Sequence, residues 1–137
     1  MMTTSAEHCL LLRGKTDIEL AMDLTGSYAE DIGFDSKETI FLKLMTEEAC
    51  MNVVDHGRMY STFWLKWELY KDGMDLMISQ IGSPYSINSD IELQTEASRG
   101  RGLYIIRNLC DSMKVEQRGS VTSLIITKRR KILSITN

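Results

Sequence analysis

The chain has 137 residues and a formal net charge of −3, with 43% apolar and 26% charged residues. This length suits one domain with a core of its own, and the composition is ordinary for a soluble globular protein. The negative charge argues against a protein whose main role is to coat nucleic acid, so no direct nucleic-acid partner is predicted.

Neither a membrane span nor a secretion signal is predicted, because the apolar run Cys9–Leu12 is too short for either. Cys9, Cys50 and Cys110 are isolated, odd in number and without metal-ligand spacing. They are predicted to be buried thiols in a reducing compartment. We therefore expect a cytoplasmic protein without membrane contact, built as one domain over residues 1–137.

The first half of the chain predicts one strand followed by two helices. Thr16 and Glu19 have the spacing of a capping box at the start of the first helix, and Gly33 is a natural stop. Asp35 and Glu38 mark the start of the second helix. The strand is predicted over residues 7–13, the first helix from Thr16 to Ile32 and the second from Asp35 to Gly57.

The second half predicts four strands and a third helix. Apolar and polar residues alternate from Phe63 to Tyr70, which is typical of a strand with one buried face. Lys71-Asp72-Gly73 is a turn signal that joins this strand to a returning one. The polar segment 86–99 is long for a compact domain, which favours a lid or binding loop. The other elements are predicted at Met74–Ile81, Leu103–Cys110 (the helix), Met113–Gln117 and Val121–Thr127.

The element order is therefore β-α-α-β-β-loop-α-β-β. Strands joined as hairpins beside helices predict one mixed, mostly antiparallel sheet with the helices on one face. The predicted fold class is an α/β two-layer sandwich.

The second helix carries the first candidate site. At about 100° per residue, Glu48, Asn52 and Asp55 share a sector of about 60°, together with Phe41 and Leu44 before them. A carboxylate one turn from a carboxamide can polarise water and hold a hard cation such as Mg²⁺. The alternative is a solvated end of a partly exposed helix, and the spacing alone does not decide between the two.

The second candidate site is Gly100-Arg101-Gly102-Leu103 at the start of the third helix. Free amides and the helix dipole favour an anion there, and Arg99 with Arg101 adds positive charge. The alternative is a plain helix start. A third segment, Gly82-Ser83-Pro84-Tyr85, is by itself a turn.

Taken together and in order, these segments resemble the Bergerat-fold (GHKL) ATP-binding domain, and in particular its anti-sigma factor serine kinase branch. The resemblance spans nearly the whole chain and rests on three motifs in the expected order and spacing. They are Glu48-Ala49-x-x-Asn52 with Val53, Val54 and His56; Gly100 to Arg107 with Leu109 and Asp111; and Gly119-x-x-Thr122-x-Leu124 with Ile126 and Lys128.

The resemblance implies ATP and Mg²⁺ as cofactors and assigns roles to single residues. Glu48 would be the general base, Asn52 would ligate Mg²⁺, and Thr122 would lie near the adenine. Backbone amides of the glycine-rich helix start would hold the phosphates under a lid formed by residues 86–99. The residues predicted to bind the cofactor are Asn52, Asp55, Gln80, Gly82, Arg99, Gly100, Arg101, Gly102, Leu103 and Thr122.

One position departs from the pattern of the family. Members of this branch have Asp-x-Gly-x-Pro-Phe, whose Asp accepts a hydrogen bond from the adenine amino group, whereas this chain has Gln80-Ile81-Gly82-Ser83-Pro84-Tyr85. The Gln80 amide oxygen can still accept a hydrogen bond, but the group is neutral, longer, and carries an NH₂ as well. Weaker or altered nucleotide binding is therefore expected.

Two functions are consistent with these residues. The first is an anti-sigma factor with ATP-dependent serine kinase activity, which would sequester a sigma factor, phosphorylate a STAS-domain antagonist and form a homodimer. The second is a regulatory docking module that keeps the fold but has lost productive nucleotide use. Gln80 favours the docking module, whereas the intact Glu48 and Asn52 favour the kinase.

Overall fold

A computed structural model of the protein describes residues 6–56, 62–82 and 101–131. In these ranges the chain forms five β-strands, three α-helices and a short 3-10 turn at Lys15–Asp17. The strands are β1 (Ala6–Leu12), β2 (Phe63–Tyr70), β3 (Gly73–Ile81), β4 (Ser112–Arg118) and β5 (Val121–Arg129). The helices are α1 (Ile18–Ile32), α2 (Ser36–His56) and α3 (Arg101–Leu109).

The five strands form one sheet in the order β1-β2-β3-β5-β4. Every neighbouring pair among them is antiparallel, because β5 returns between β3 and β4 as the second strand of a hairpin. The sheet of the described residues is thus wholly antiparallel, where a mixed sheet was expected. The helices pack side by side, α1 on α2 and α2 on α3, and both α1 and α2 contact the sheet. The α/β sandwich is confirmed.

Alternation along the strands separates the core from the outer face of the sheet. In β2 the odd-numbered side chains are buried, while the even-numbered ones are exposed or half-buried. Burying one large apolar side chain contributes roughly 1.5–3 kcal/mol, so this face supplies much of the driving force for folding. The largest fully buried side chains are Trp67, Phe63, Leu12, Leu42, Met45, Leu65, Met74, Leu76, Ile78, Ile106, Leu124 and Ile126.

The helix starts agree with the sequence at α2 and differ at α1. At α2 the amide of Glu38 donates to Oδ1 of Asp35 at 2.7 Å, as the sequence predicts. At α1 the capping box is wrong, because Thr16 lies in the preceding 3-10 turn and Asp17 occupies the cap position without a side-chain capping bond. The carboxylate of Asp17 instead accepts from the amide of Arg13 at 2.8 Å.

Gly73 belongs to β3 rather than to the turn. A Cβ atom on Gly73 would lie 2.6 Å from the backbone oxygen of Lys128, closer than real contacts allow. A glycine is therefore needed where β3 passes β5, a reason that the turn pattern does not reveal.

A buried polar network, which we call the inner network, joins α1, α2 and β2 inside the core. Thr25 and Thr46 share a hydrogen bond of 2.9 Å between their hydroxyl oxygens. The indole Nε1–H of Trp67 donates to Oγ1 of Thr25 at 2.9 Å, and the Thr46 hydroxyl donates to the Leu42 carbonyl at 2.9 Å. Each polar group in this network has a partner inside the protein, so its burial is compensated.

The three cysteines differ in their surroundings. Cys50 is buried, and burial raises the pKa of its thiol to about 12, which makes the thiolate rare at neutral pH. Cys110 is half-buried, and Cys9 is exposed, which corrects the expectation of three buried thiols. None of the helices in the described ranges has the length and apolar character needed to cross a membrane.

Candidate functional site

The polar end of α2 lies at the edge of the buried stripe of that helix. The stripe itself consists of Leu42, Met45, Ala49 and Val53, which are almost fully buried. Phe41 and Leu44, predicted to share a sector with Glu48, are half-buried. The predicted sector therefore lies beside the centre of the core, on a flank of α2.

The three polar residues of that sector differ in burial. Asn52 is only 8% exposed, Glu48 is half-buried, and Asp55 is exposed near the end of the helix. A buried carboxamide beside a half-buried carboxylate matches a cleft wall better than the solvated helix end considered as the alternative. Asp55 differs from these two in its exposure, and its predicted role in nucleotide binding stays a prediction.

Glu48 lies directly against the first turn of α3. A Cβ atom on Gly102 would be 2.9 Å from Oε1 of Glu48 and 3.6 Å from its backbone oxygen. Any side chain at position 102 would therefore displace this carboxylate, which is the flexible end of the Glu48 side chain. The structure brings together the acid of the first motif and the glycine of the second, which are 54 positions apart in the sequence.

The surroundings of Glu48 disfavour its charged form. Burial raises the pKa of this carboxyl above its ordinary value of 4.5, and the charge of the neighbouring Glu47 raises it further. A carboxylate whose pKa is raised toward neutral pH is a better proton acceptor, which is a property of general bases. Glu47 was not among the predicted site residues, although two adjacent acids in the sequence indicate mutual repulsion.

Gln80 and Thr122 form a second pair, on adjacent strands of the sheet. They are register partners in β3 and β5, so their side chains lie on the same face. Gln80 is 4% exposed and Thr122 is fully buried. The hydroxyl of Thr122 has no hydrogen-bond partner among the described residues. A buried, unpaired hydroxyl is costly, so this position suits a ligand that completes the bond.

The same face carries a third polar side chain in line with this pair. Gln117 of β4 is the register partner of Thr122 and is exposed. Gln117 was not among the predicted site residues, although its alternation with Met113 and Val115 places it on the inner face of the sheet. A row of two carboxamides and one hydroxyl therefore crosses β3, β5 and β4.

Two further predicted residues serve structural needs that the structure makes explicit. Gly82 has a φ of 100°, which favours glycine, and its amide donates to the Ser120 carbonyl at 2.8 Å. Leu103 is buried in the core, so its backbone alone is available to a ligand.

Several predicted site residues lie outside the described part of the chain. They are Arg99, Gly100, the side chain of Arg101, the segment 83–85 and the proposed lid, residues 86–99. Their predicted roles stay predictions.

The residues present fit the Mg²⁺ expectation in one respect. Among the described residues, no group of three or more His, Cys, Asp or Glu side chains could hold a metal ion. Mg²⁺ bound with a nucleotide commonly takes one or two protein oxygens and fills its other positions with phosphate and water. The buried carboxamide of Asn52 could supply one such protein oxygen.

Residues 14–128 match the family model described as a histidine kinase-like ATPase domain. Similar curated proteins include the serine-protein kinase RsbW of Halalkalibacterium halodurans, 27% identical over 111 residues, covering 73% of this chain and 68% of the relative. The RsbW of Bacillus mycoides is 27% identical, with 71% and 68% covered. The chain thus spans about two thirds of the length of these relatives.

Two solved structures share the fold. The RsbU and RsbW domains of Rv1364c from Mycobacterium tuberculosis match with a TM-score of 0.67 at 13% identity, covering 91% of this chain and 32% of that one. A chain of the SiaB-SiaC complex from Pseudomonas aeruginosa matches with a TM-score of 0.63 at 14% identity, covering 88% of this chain and 88% of the matched chain. At these identities the two structures support the fold alone.

Proposed function

Because the chain belongs to the family of histidine kinase-like ATPase domains, we propose that it is an ATP-dependent serine-protein kinase acting as an anti-sigma factor. Its protein partners would be a sigma factor, which it sequesters, and a STAS-type antagonist, which it phosphorylates on serine. The relatives named serine-protein kinase support the activity. The partners follow from the resemblance to anti-sigma factor kinases.

The observation that carries the kinase proposal is the contact between Glu48 and Gly102. It sets a half-buried carboxylate with a raised pKa against the first turn of α3. The amino end of a helix offers free amides and a positive dipole to phosphate. Glu48 would then stand close to the transferred phosphoryl group, where a base is needed.

In the proposed reaction, Glu48 accepts the proton of the attacking serine hydroxyl of the antagonist. The serine oxygen bonds to the γ-phosphorus of ATP while the bond to the β-phosphate oxygen breaks, which leaves ADP. Asn52 would hold Mg²⁺, which supplies neutralisation of phosphate charge. The base of ATP would lie at Gln80 and Thr122, where no described residue forms a hydrogen bond with the Thr122 hydroxyl.

The test is substitution of Glu48 by Gln, which keeps the shape of the side chain and removes the proton acceptor. Phosphotransfer to a STAS-domain protein should fall by about 10²–10⁴-fold. ATP affinity, measured by calorimetry with Mg²⁺, should stay within about threefold, because binding does not need the base. Glu19→Gln, at an exposed position of α1, is the matched control. Full activity of Glu48→Gln would remove Glu48 from the mechanism.

The docking module remains the second candidate, because Gln80 replaces the acid that the family uses to bind adenine. Thermal unfolding with and without millimolar ATP and Mg²⁺ separates the two functions. A kinase is stabilised by its nucleotide, by about 2.7 kcal/mol at a hundredfold excess over Kd. An unchanged unfolding temperature would favour the docking module.

A second copy of the chain is the partner that we propose for the outer face of the sheet, the face turned away from the helices. Leu11, Trp64 and Ile81 share this face and are exposed. Equal numbers of acidic and basic side chains accompany them, which suits a self-complementary contact. They are Glu7, Glu68, Asp75 and Glu116, with Lys66, Lys114, Arg118 and Arg129.

Sedimentation velocity tests the homodimer. The unsubstituted chain should sediment as a dimer and Trp64→Glu as a monomer, because a buried unpaired charge opposes association. Ile40→Glu, at an exposed position of α2, should leave the dimer intact. A monomeric unsubstituted chain, or a dimeric Trp64→Glu variant, would contradict this interface.

A further inference from the structure

The buried pair Gln80 and Thr122 has an unusual hydrogen-bonding character. Both side chains lie on the same face of neighbouring strands, 4% and 0% exposed. A carboxamide carries a donor and an acceptor, and a hydroxyl can act as either. Neither side chain therefore determines whether the ligand group next to it must be a hydrogen-bond donor or an acceptor.

A carboxylate at position 80 would behave differently. An ionised carboxylate only accepts hydrogen bonds, so it selects a purine with an amino group at position 6 and repels a 6-oxo group. Gln80 can turn its oxygen toward a 6-amino group or its nitrogen toward a 6-oxo group. Thr122 can likewise donate to the bare N1 of adenine or accept from the N1–H of hypoxanthine.

We propose that Gln80 and Thr122 make the proposed nucleotide site accept 6-amino and 6-oxo purine nucleotides with similar affinity. This inference rests on the proposed nucleotide-binding function and specifies the base that the same site takes. Because both side chains are buried, little water is available there to form a hydrogen bond with a mismatched group. A buried mismatch against a side chain of fixed polarity would cost roughly 5- to 150-fold in affinity.

The unpaired hydroxyl of Thr122 is the independent observation that points to a ligand at this place. It is the buried hydroxyl of the pair, and none of the described residues satisfies it. Bound adenine or hypoxanthine would each satisfy it, by opposite polarities. The row continues with Gln117, an exposed carboxamide that is equally without fixed polarity.

The experiment is calorimetric titration of the full chain with Mg²⁺ and either ATP or ITP. ITP carries hypoxanthine and lacks the 2-amino group of guanine, so the two ligands differ only at positions 1 and 6 of the base. The two Kd values should agree within about fivefold for the unsubstituted chain. A preference for ATP above about fivefold would overturn the inference and leave the proposed kinase intact.

Two variants assign the effect to position 80. Gln80→Glu keeps the length of the side chain and, when ionised, only accepts hydrogen bonds, so at about pH 8 it should favour ATP over ITP by at least about tenfold. Asn108→Asp makes the same amide-to-acid change at an exposed position of α3 and should leave the ratio unchanged. A Gln80→Glu variant with the original ratio would overturn the role of Gln80.

Failure of the proposed function has a separate signature. If neither ATP nor ITP binds to the unsubstituted chain, the nucleotide site itself is absent, and the kinase proposal falls together with this inference. Because the unsubstituted chain decides that outcome, the test does not depend on whether the Gln80→Glu variant folds.

Discussion

Two buried polar groupings lie under the same sheet, and they are built in opposite ways. In the inner network, the Thr25 and Thr46 hydroxyls and the Trp67 indole satisfy one another and a backbone carbonyl. In the Gln80–Thr122 pair, the Thr122 hydroxyl has no partner among the described residues. Both groupings are equally removed from water, so burial alone does not distinguish them.

The difference is in what completes the hydrogen bonds. A closed network lowers the cost of burying polar groups and ties α1, α2 and β2 together, so its value is structural. An open pair leaves that cost unrelieved until something else binds. We infer that the inner network serves stability and that the Gln80–Thr122 pair serves a ligand. The following predictions test this division, from the largest expected effect to the smallest.

Gly102→Ala should lower the rate of phosphotransfer without lowering the stability of the fold. The new methyl group would lie 2.9 Å from Oε1 of Glu48 and displace that carboxylate. A shift of about 1 Å in a catalytic group can lower the rate by about 10²-fold. The unfolding temperature should not fall, because the displaced atom ends a flexible side chain and alanine favours helix.

Gly26→Ala is the matched control for that variant. Its methyl group would lie 3.1 Å from Cδ of Lys43, which is similar crowding inside α1. Phosphotransfer should be unchanged. Equal losses of activity in the two variants would mean that crowding in helices, rather than the Glu48 contact, explains the result.

Thr25→Val should be the most destabilising change within the two polar groupings. It leaves the indole N–H of Trp67 and the hydroxyl of Thr46 without their shared partner in a dry core. We expect a loss of about 2 kcal/mol in the free energy of unfolding, measured by urea denaturation. ATP affinity of the folded fraction should not change. A stable Thr25→Val variant would break the structural interpretation of the inner network.

Thr122→Val should give the opposite result. Its hydroxyl has no partner to lose in the part of the chain that the structure describes, so the free energy of unfolding should stay constant or rise by up to about 1 kcal/mol. ATP affinity should fall by about fivefold, the equivalent of one hydrogen bond of about 1 kcal/mol. If stability falls while affinity is unchanged, Thr122 serves the core and the comparison fails.

The smallest effect concerns the pH dependence of the kinase. Glu48 must be ionised to act as a base, and burial together with Glu47 raises its pKa. The rate should therefore rise with pH over a range above the ordinary carboxyl value of 4.5. Glu47→Gln removes the nearby charge and lowers the pKa of Glu48, so this rise should move to lower pH. Coincident pH–rate profiles would exclude the effect of Glu47.

The raised pKa also bears on stability. The folded protein binds the Glu48 proton more tightly than the unfolded chain does. Stability therefore declines as the pH rises from about the unfolded value through the raised folded value. Glu47→Gln should flatten that decline in thermal unfolding scans at matched ionic strength.

Much of the fold could be predicted because its signals are local. Alternation in β2 and the Asp35–Glu38 helix start depend on residues a few positions apart. The failed capping box at Thr16 shows the limit of such signals. Thr16 and Glu19 have the right spacing, but the structure has a 3-10 turn at this place and an Arg13–Asp17 hydrogen bond. The cap of α1 is therefore one residue later, at Asp17.

The candidate site could be predicted only in part. The resemblance named Glu48, Asn52, Gln80 and Thr122, and the first two are one helical turn apart in the sequence. Asp55 was grouped with them by helical angle, yet it is exposed. A helical angle gives direction relative to the axis, whereas burial depends on where neighbouring elements begin and end.

The sequence by itself determined the order of the elements, because that order depends on short-range patterns. It also indicated the family, through the resemblance of three motifs and their polar residues. Tertiary structure decided that Glu48 lies against Gly102, that Thr122 lies beside Gln80 with a hydroxyl unpaired among the described residues, and that Gly73 passes close to Lys128. Each of these contacts joins residues more than 40 positions apart. Their distances are set by the packing of α2 against α3 and of β3 against β5, which no local pattern encodes.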